Sequence, residues 1–219
     1  MIHSDAMDPA WWVTGFLIAS WCYLGCLGSV KGLLSDIRIR WPALLIATLS
    51  LMVLWHIRAT VLPGLSLHLL GATLCTLVFG YRLALFPLTA TLLLAQFTAA
   101  GDWRTLGLNA CILVLWPVAI SRLVAYLVDR LPSNLFVFIF VGGFFGGAAV
   151  VVSTGWLLTL TLWLTQLYPW GPLLEDYAAY WLLVAFSEAW LTGMLLTVMV
   201  VYRPALVRMF DSTRYIDNA

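Results

Sequence analysis

The chain has 219 residues, 63% of them hydrophobic and only 10% charged, with a mean hydropathy of +0.99 and a formal net charge of +1. No water-soluble domain of this length can bury so much apolar surface, so lipid must be the solvent. The near-zero charge offers no basic field for nucleic acid, and the short loops leave no room for a soluble catalytic domain.

In lipid, backbone polar groups must be satisfied internally, which leaves helices or a closed barrel. The apolar runs are unbroken where barrel strands would alternate, so they predict helices. The expected fold is all-α: one integral membrane domain over residues 1–219 with about seven transmembrane helices. The first span is predicted at Trp11–Val30, and Met1 to Asp5 lack a basic n-region, so this helix is expected to be retained. A basic loop with Lys31, Arg38 and Arg40 follows, then a second span at Trp41–Ile57 with Pro42 at its start. A break from Arg58 to Gly64 leads to the third span, Leu65–Gly80, and Tyr81-Arg82 reads as a tight turn into the fourth, Leu83–Thr98. Ala99–Thr105 is a polar hairpin containing Asp102 and Arg104, and the fifth span is Leu106–Val128. The sixth runs from Asn134 to Tyr168, longer than the roughly 20 residues a bilayer core needs. One tilted or protruding helix is expected there, because a split at Ser153-Thr154-Gly155 would leave two spans without a loop. Pro169 to Asp176 is expected as a loop before the seventh span, Tyr177–Tyr202.

Alternate loops carry Lys31, Arg38 and Arg40, then Arg82, then Arg122 and Arg130, then Arg203, Arg208 and Arg214. The positive-inside rule assigns these to the cytoplasm, with the N-terminus outside and the C-terminus inside, as an odd number of spans requires. That orientation gathers the three histidines at one membrane face. His3 is on the outer tail, His56 at the outer end of span two, and His68 one turn into span three. Asp102 and Asn109 are expected on the same side. Imidazole is a common ligand for nickel, copper and zinc, although each histidine could equally be interfacial or hydrogen-bonded. In Met1-Ile2-His3, an α-amine, two backbone amides and an imidazole have the spacing to close around one ion in a tetragonal field, which favours Cu(II) or Ni(II).

Glu188 falls about halfway along span seven. A lone carboxylate there costs about 2.5–3.5 kcal/mol on insertion scales, so it should face the bundle, protonated or paired. Arg122 is one candidate partner; a hydrogen bond to another helix's backbone or hydroxyl groups is a second role, and a proton or ion relay a third. Cys22, Cys26, Cys75 and Cys111 lie in apolar segments at spacings that suit packing rather than zinc. Gly142-Gly143-Phe144-Phe145-Gly146-Gly147 has the i, i+4 spacing of close helix contacts, and Gly71-Ala72 and Gly193 read as packing residues. Trp11, Trp12, Trp55, Trp103 and Trp170 are expected to form an aromatic belt at the outer boundary.

Three segments carry a family resemblance, in order along nearly the whole chain. Leu65-Ser66-Leu67-His68-Leu69-Leu70-Gly71 resembles the histidine-bearing segment of the CbiM/NikM (cobalt/nickel) substrate-binding subunits of energy-coupling factor ABC transporters. Thr105-Leu106-Gly107-Leu108-Asn109-Ala110 is similar to that family's Thr-Leu-Gly-x-Asn segment. Glu188-Ala189-Trp190-Leu191-Thr192-Gly193 resembles its late Glu-Gly-x-x-Thr motif, although Ala185-Phe186-Ser187 stand where the family has His-Leu-Pro. The chain looks like a divergent proteobacterial branch. The resemblance implies a bacterial inner-membrane subunit that captures a divalent transition metal, nickel or cobalt, from the periplasmic side, with no permanent cofactor; the tail geometry adds copper to the candidates. It further implies a transmembrane coupling subunit and cytoplasmic ATPases as partners, in keeping with the lack of a phosphate-binding glycine loop here. The implied metal ligands are His68 and the tail, Met1 and His3, with His3 one position later than the family's tail histidine. His56, Asp102, Asn109 and Glu188 are the candidates for supporting roles. The alternative is an accessory membrane subunit that kept the fold without metal transport. An enzyme is not expected: the chain has no HExxH and no Gly-x-Ser-x-Gly.

Overall fold

In a computed structural model, residues 7–27, 30–62, 65–98, 102–213 and 215 are described. Among them the chain forms seven main helices, one short hairpin and a 3-10 turn at Pro204–Leu206. The helices are α1 (Pro9–Leu27), α2 (Val30–His56), α3 (Ala72–Phe79), α4 (Tyr81–Thr98), α5 (Trp103–Val128), α6 (Leu135–Leu164) and α7 (Trp170–Tyr202). Strands β1 (Arg58–Leu62) and β2 (Leu65–His68) pair antiparallel between α2 and α3. α2, α5, α6 and α7 are long and apolar enough to cross a membrane. Large apolar side chains such as Leu17, Trp21, Ile46, Leu182 and Trp190 point outward from the bundle. Such a coat would aggregate in water and is what lipid requires.

Several boundaries differ from expectation, each for a local reason. The segment with Lys31, Arg38 and Arg40 is the first part of α2 and not a loop, because none of its residues breaks a helix until Pro42, which α2 accommodates. α4 begins at Tyr81, so the turn belongs to Gly80, whose φ of +78° only glycine adopts easily. α7 begins at Trp170, so 170–176 is helical: Pro172 lies in the first turn, where its missing N–H costs nothing. α6 is continuous through Ser153-Thr154-Gly155, as expected of one long helix. The largest departure is span three. Its first part is the strand β2, and α3 has only eight residues, about 12 Å of helix.

Glycine decides where helices touch. A Cβ on Gly107 of α5 would sit 2.5 Å from the Phe16 backbone nitrogen of α1, and one on Gly15 would sit 2.7 Å from Leu108 N. The α6 glycines meet α7 in the same way, Gly143 against Leu196 and Gly147 against Thr192, with Gly193 against Phe144.

α3 is fixed at both ends. At its C-terminal end the backbone N–H groups of Arg208 and Met209 donate to the carbonyls of Val78 (3.0 Å) and Leu77 (3.1 Å). The Arg208 guanidinium pairs with Asp36 of α2 at 2.8 Å. Phe210 and Tyr215 stack on each other and against Phe138 of α6, so the chain beyond α7 underlies the bundle at this end. The opposite end of α3 carries the histidine segment.

Candidate metal-capture site

In β2, Leu65, Leu67 and His68 are buried and Ser66 is half-buried. Arg58 is the cross-strand partner of His68. His68 is therefore the last residue of a strand and not a residue one turn into a helix. The chain then needs a sharp turn into α3, which Gly71 supplies at φ +66°. A side chain there would be strained, and its Cβ would lie 2.4 Å from Leu51 Cδ2.

Non-helical backbone in an apolar interior leaves polar groups to be satisfied. Glu188 of α7, almost wholly buried, reaches across the bundle to do so. Its Oε2 accepts from Leu70 N at 2.9 Å and its Oε1 from Gly71 N at 2.7 Å. The Leu70 carbonyl accepts from Trp55 Nε1 of α2 at 3.2 Å. The Trp55 ring also packs on the His68 imidazole, centroids 4.7 Å apart at 38°. Trp55 is thus buried at the site rather than part of a boundary belt. Arg122 does not meet Glu188; its guanidinium lies over the Tyr81 ring at 4.1 Å.

His68 Nδ1 is 3.0 Å from the Leu69 carbonyl oxygen. A carbonyl can only accept, so Nδ1 carries the proton and Nε2 the lone pair. Burial pushes the imidazole below its ordinary value, to about 4, with the Arg58 charge acting in the same direction and the Leu69 carbonyl opposing. The ring is neutral at pH 7 and able to donate to a metal through Nε2. His56, at the exposed end of α2, is held likewise by Nδ1 to the Met52 carbonyl at 2.8 Å. Both histidines line one cleft of about 130 Å³ with Trp55, Arg58, Ser66, Ala95 and Thr98.

Asp102 and Asn109 belong to a neighbouring network. The Asp102 carboxylate accepts from Arg104 N at 2.9 Å and so caps the start of α5. Its backbone carbonyl accepts from Gln96 Nε2 of α4 at 2.5 Å and from Thr105 Oγ1 at 2.9 Å. Asn109 Nδ2 donates to Thr105 Oγ1 at 3.2 Å. The end of α4, which lines the histidine cleft through Ala95 and Thr98, is tied to this network by Gln96. The sequence reasoning missed Gln96 and the clamping role of Trp55. A glutamine in an apolar run and a tryptophan beside a histidine were the available signals.

Met1 and His3 lie outside the described residues. Among the described residues no three His, Cys, Asp or Glu side chains converge as a metal site. His68 therefore presents a single oriented donor at a cleft.

Fold and site together define a polytopic helical membrane protein that presents a neutral, fixed imidazole from a non-helical loop. The family model described as the cobalt uptake substrate-specific transmembrane region, CbiM, matches residues 2–206, and the chain belongs to that family. It is a multi-pass membrane protein of transition-metal transport. The fold is similar to the crystal structure of a truncated transition metal transporter (TM-score 0.81, 17% identity, 92% of this chain and 98% of that one). A second similar structure is also of a transition metal transporter (TM-score 0.79, 17% identity, 90% and 91%). No curated protein sequence matches the chain.

Proposed function

We propose that the protein is the substrate-capture subunit of an energy-coupling factor transporter. It takes up a divalent transition metal, nickel, cobalt or copper, from the periplasmic side of the inner membrane. The observation that carries this is the His68 imidazole, held neutral with Nε2 as its lone pair and set on a loop braced by two helices. Family membership over residues 2–206 supports a metal cargo. One imidazole cannot hold an ion alone. In this proposal the Met1 amine, the His3 imidazole and the two intervening backbone amides supply four nitrogens in a tetragonal field, and His68 Nε2 is a fifth donor to the same ion. The N-terminus is then outside and the C-terminus in the cytoplasm, in agreement with the Lys/Arg distribution. Separate chains, a transmembrane coupling subunit and cytoplasmic ATPases, power release inward.

Calorimetric titration of the purified protein with Ni(II), Co(II) and Cu(II) tests this. Wild type is expected to bind at least one ion tightly, and both His68→Ala and a variant with one extra residue before Met1 to weaken it strongly. Equal, negligible binding by all three proteins would overturn the proposal in favour of an accessory subunit that kept the fold without transport.

A further inference from the structure

The bonds around residues 69–71 have a connectivity that their individual distances do not reveal. A peptide group is planar and rigid, so its C=O and N–H move together. The Leu69 carbonyl, which accepts from His68 Nδ1, and the Leu70 N–H, which donates to Glu188 Oε2, are opposite ends of one such group. The Leu70 carbonyl, held by Trp55 Nε1, and the Gly71 N–H, held by Glu188 Oε1, are opposite ends of the next. Each plane is gripped at both ends, and Glu188 holds both of them by the N–H.

We propose that Glu188 is a positioning residue for the metal-binding imidazole, acting on His68 through the 69–70 peptide group. This rests on the assignment of His68 as a metal ligand. The order carboxylate, peptide, imidazole, metal resembles a carboxylate–histidine pair with one peptide inserted between its members. By accepting from it, the Glu188 carboxyl polarises the Leu70 N–H, which raises the electron density on the Leu69 carbonyl and strengthens its hold on Nδ1–H. The ring is thereby fixed in tautomer and direction before the ion arrives, the role that supporting partners play at metal-ligating histidines. Helix α7 packs on α6 through Gly193, Thr192, Leu196 and the Glu188 backbone carbonyl, and these glycine contacts do not involve the Glu188 side chain. Loss of the carboxylate should therefore loosen the ligand and leave the bundle folded.

The test uses full-length protein in detergent, with Glu188→Gln, Glu188→Ala and, as control, Thr192→Ala one turn further along the same helix. Both Glu188 variants are expected to keep wild-type helicity. Amide exchange at Leu70 and Gly71 in the metal-free protein should be about tenfold or more faster. Ni(II) affinity should fall about 10–100-fold, and the visible bands of bound Co(II) should shift. Thr192→Ala should change none of these. Wild-type affinity and Co(II) spectrum in the Glu188 variants would overturn the proposal, as would equal weakening in Thr192→Ala. Glu188 variants that fail to fold would also overturn it and make the residue purely structural. If wild type binds none of Ni(II), Co(II) or Cu(II), the metal assignment of His68 itself falls. Binding by wild type with unaltered variants sinks only the role given to Glu188.

Discussion

Replacing Gly71 with alanine tests the turn that aims the histidine. The position has φ +66°, where an L side chain costs about 1–2 kcal/mol. The new methyl would also stand 2.4 Å from Leu51 Cδ2. Leu51 is 5% exposed, so it cannot simply swing into open space. Inserting a methyl into a packed interior costs about 1–3 kcal/mol. Together these give an expected loss of about 2–5 kcal/mol. The steric part can be separated, because Leu51→Ala removes the clashing atom. Leu51→Ala alone should destabilise by about 2–5 kcal/mol. In that background Gly71→Ala should cost only the backbone strain, about 1–2 kcal/mol, leaving a coupling of about 1–3 kcal/mol in the double-mutant cycle. Denaturant unfolding in detergent measures all four proteins, and Ni(II) titration follows the site. Metal affinity should remain low in the double variant, since the turn is still strained. A Gly71→Ala protein with wild-type stability and affinity would refute the reasoning, as would an equal penalty in both backgrounds.

Gly107→Ala should lower stability by about 1–3 kcal/mol or more, because its Cβ would meet the Phe16 and Gly15 backbone at 2.5–2.8 Å, which no rotamer relieves. Gly25→Ala, with nothing within 4 Å, should not destabilise the protein, and denaturant unfolding in detergent compares the two variants. Trp55→Phe keeps a ring over His68 but strips the Leu70 carbonyl of its donor. A loss of about 1–3 kcal/mol is expected on denaturant unfolding, with a measurable weakening of Ni(II) binding. Folding lowers the His68 pKa from 6.5 to about 4, so the folded state binds fewer protons than the unfolded one. The associated stability of the metal-free protein is therefore fully present above pH 6.5, falls as the pH drops from 6.5 toward 4, and levels off below. His68→Gln should flatten that part of the denaturation profile, and an unchanged slope would count against a buried neutral imidazole.

Hydropathy was enough to find all seven helices, because apolar length is a strong signal in a chain this rich in it, but it misplaced the start of three. Its failures were of one kind. Lys31, Arg38 and Arg40 looked like a loop because charge was taken as a boundary, yet a helix can carry charge past the lipid. Pro169 to Asp176 looked like a loop because of its prolines and carboxylates, yet the helix begins at Trp170 and Pro172 sits where a helix tolerates it. Leu65–Leu70 looked helical because it is apolar, and a short apolar run does not separate strand from helix. Only Gly71, read as a packing residue, pointed to the turn. At the site, His68, His56 and Glu188 were legible as polar residues in costly places. That Glu188 answers to main-chain N–H groups was not, because a sequence shows no backbone that needs a partner.

Two anomalies of the chain explain each other. A carboxylate within a membrane helix costs about 2.5–3.5 kcal/mol by insertion scales, and non-helical backbone buried at the same level leaves donors without acceptors. If residues 65–71 were helical, their N–H groups would bond to carbonyls four residues back, and Glu188 would have nothing to hold. Because they are extended and then turn at Gly71, the N–H groups of Leu70 and Gly71 are free for the carboxylate. Each therefore offsets the cost of the other. The result is an imidazole that is neither on a rigid helix face nor on a free loop. His68 stands on two peptide planes braced from α2 and α7, so a shift between those helices must move the imidazole. In the capture role proposed for His68, that coupling would let small helix displacements become a change in ligand geometry.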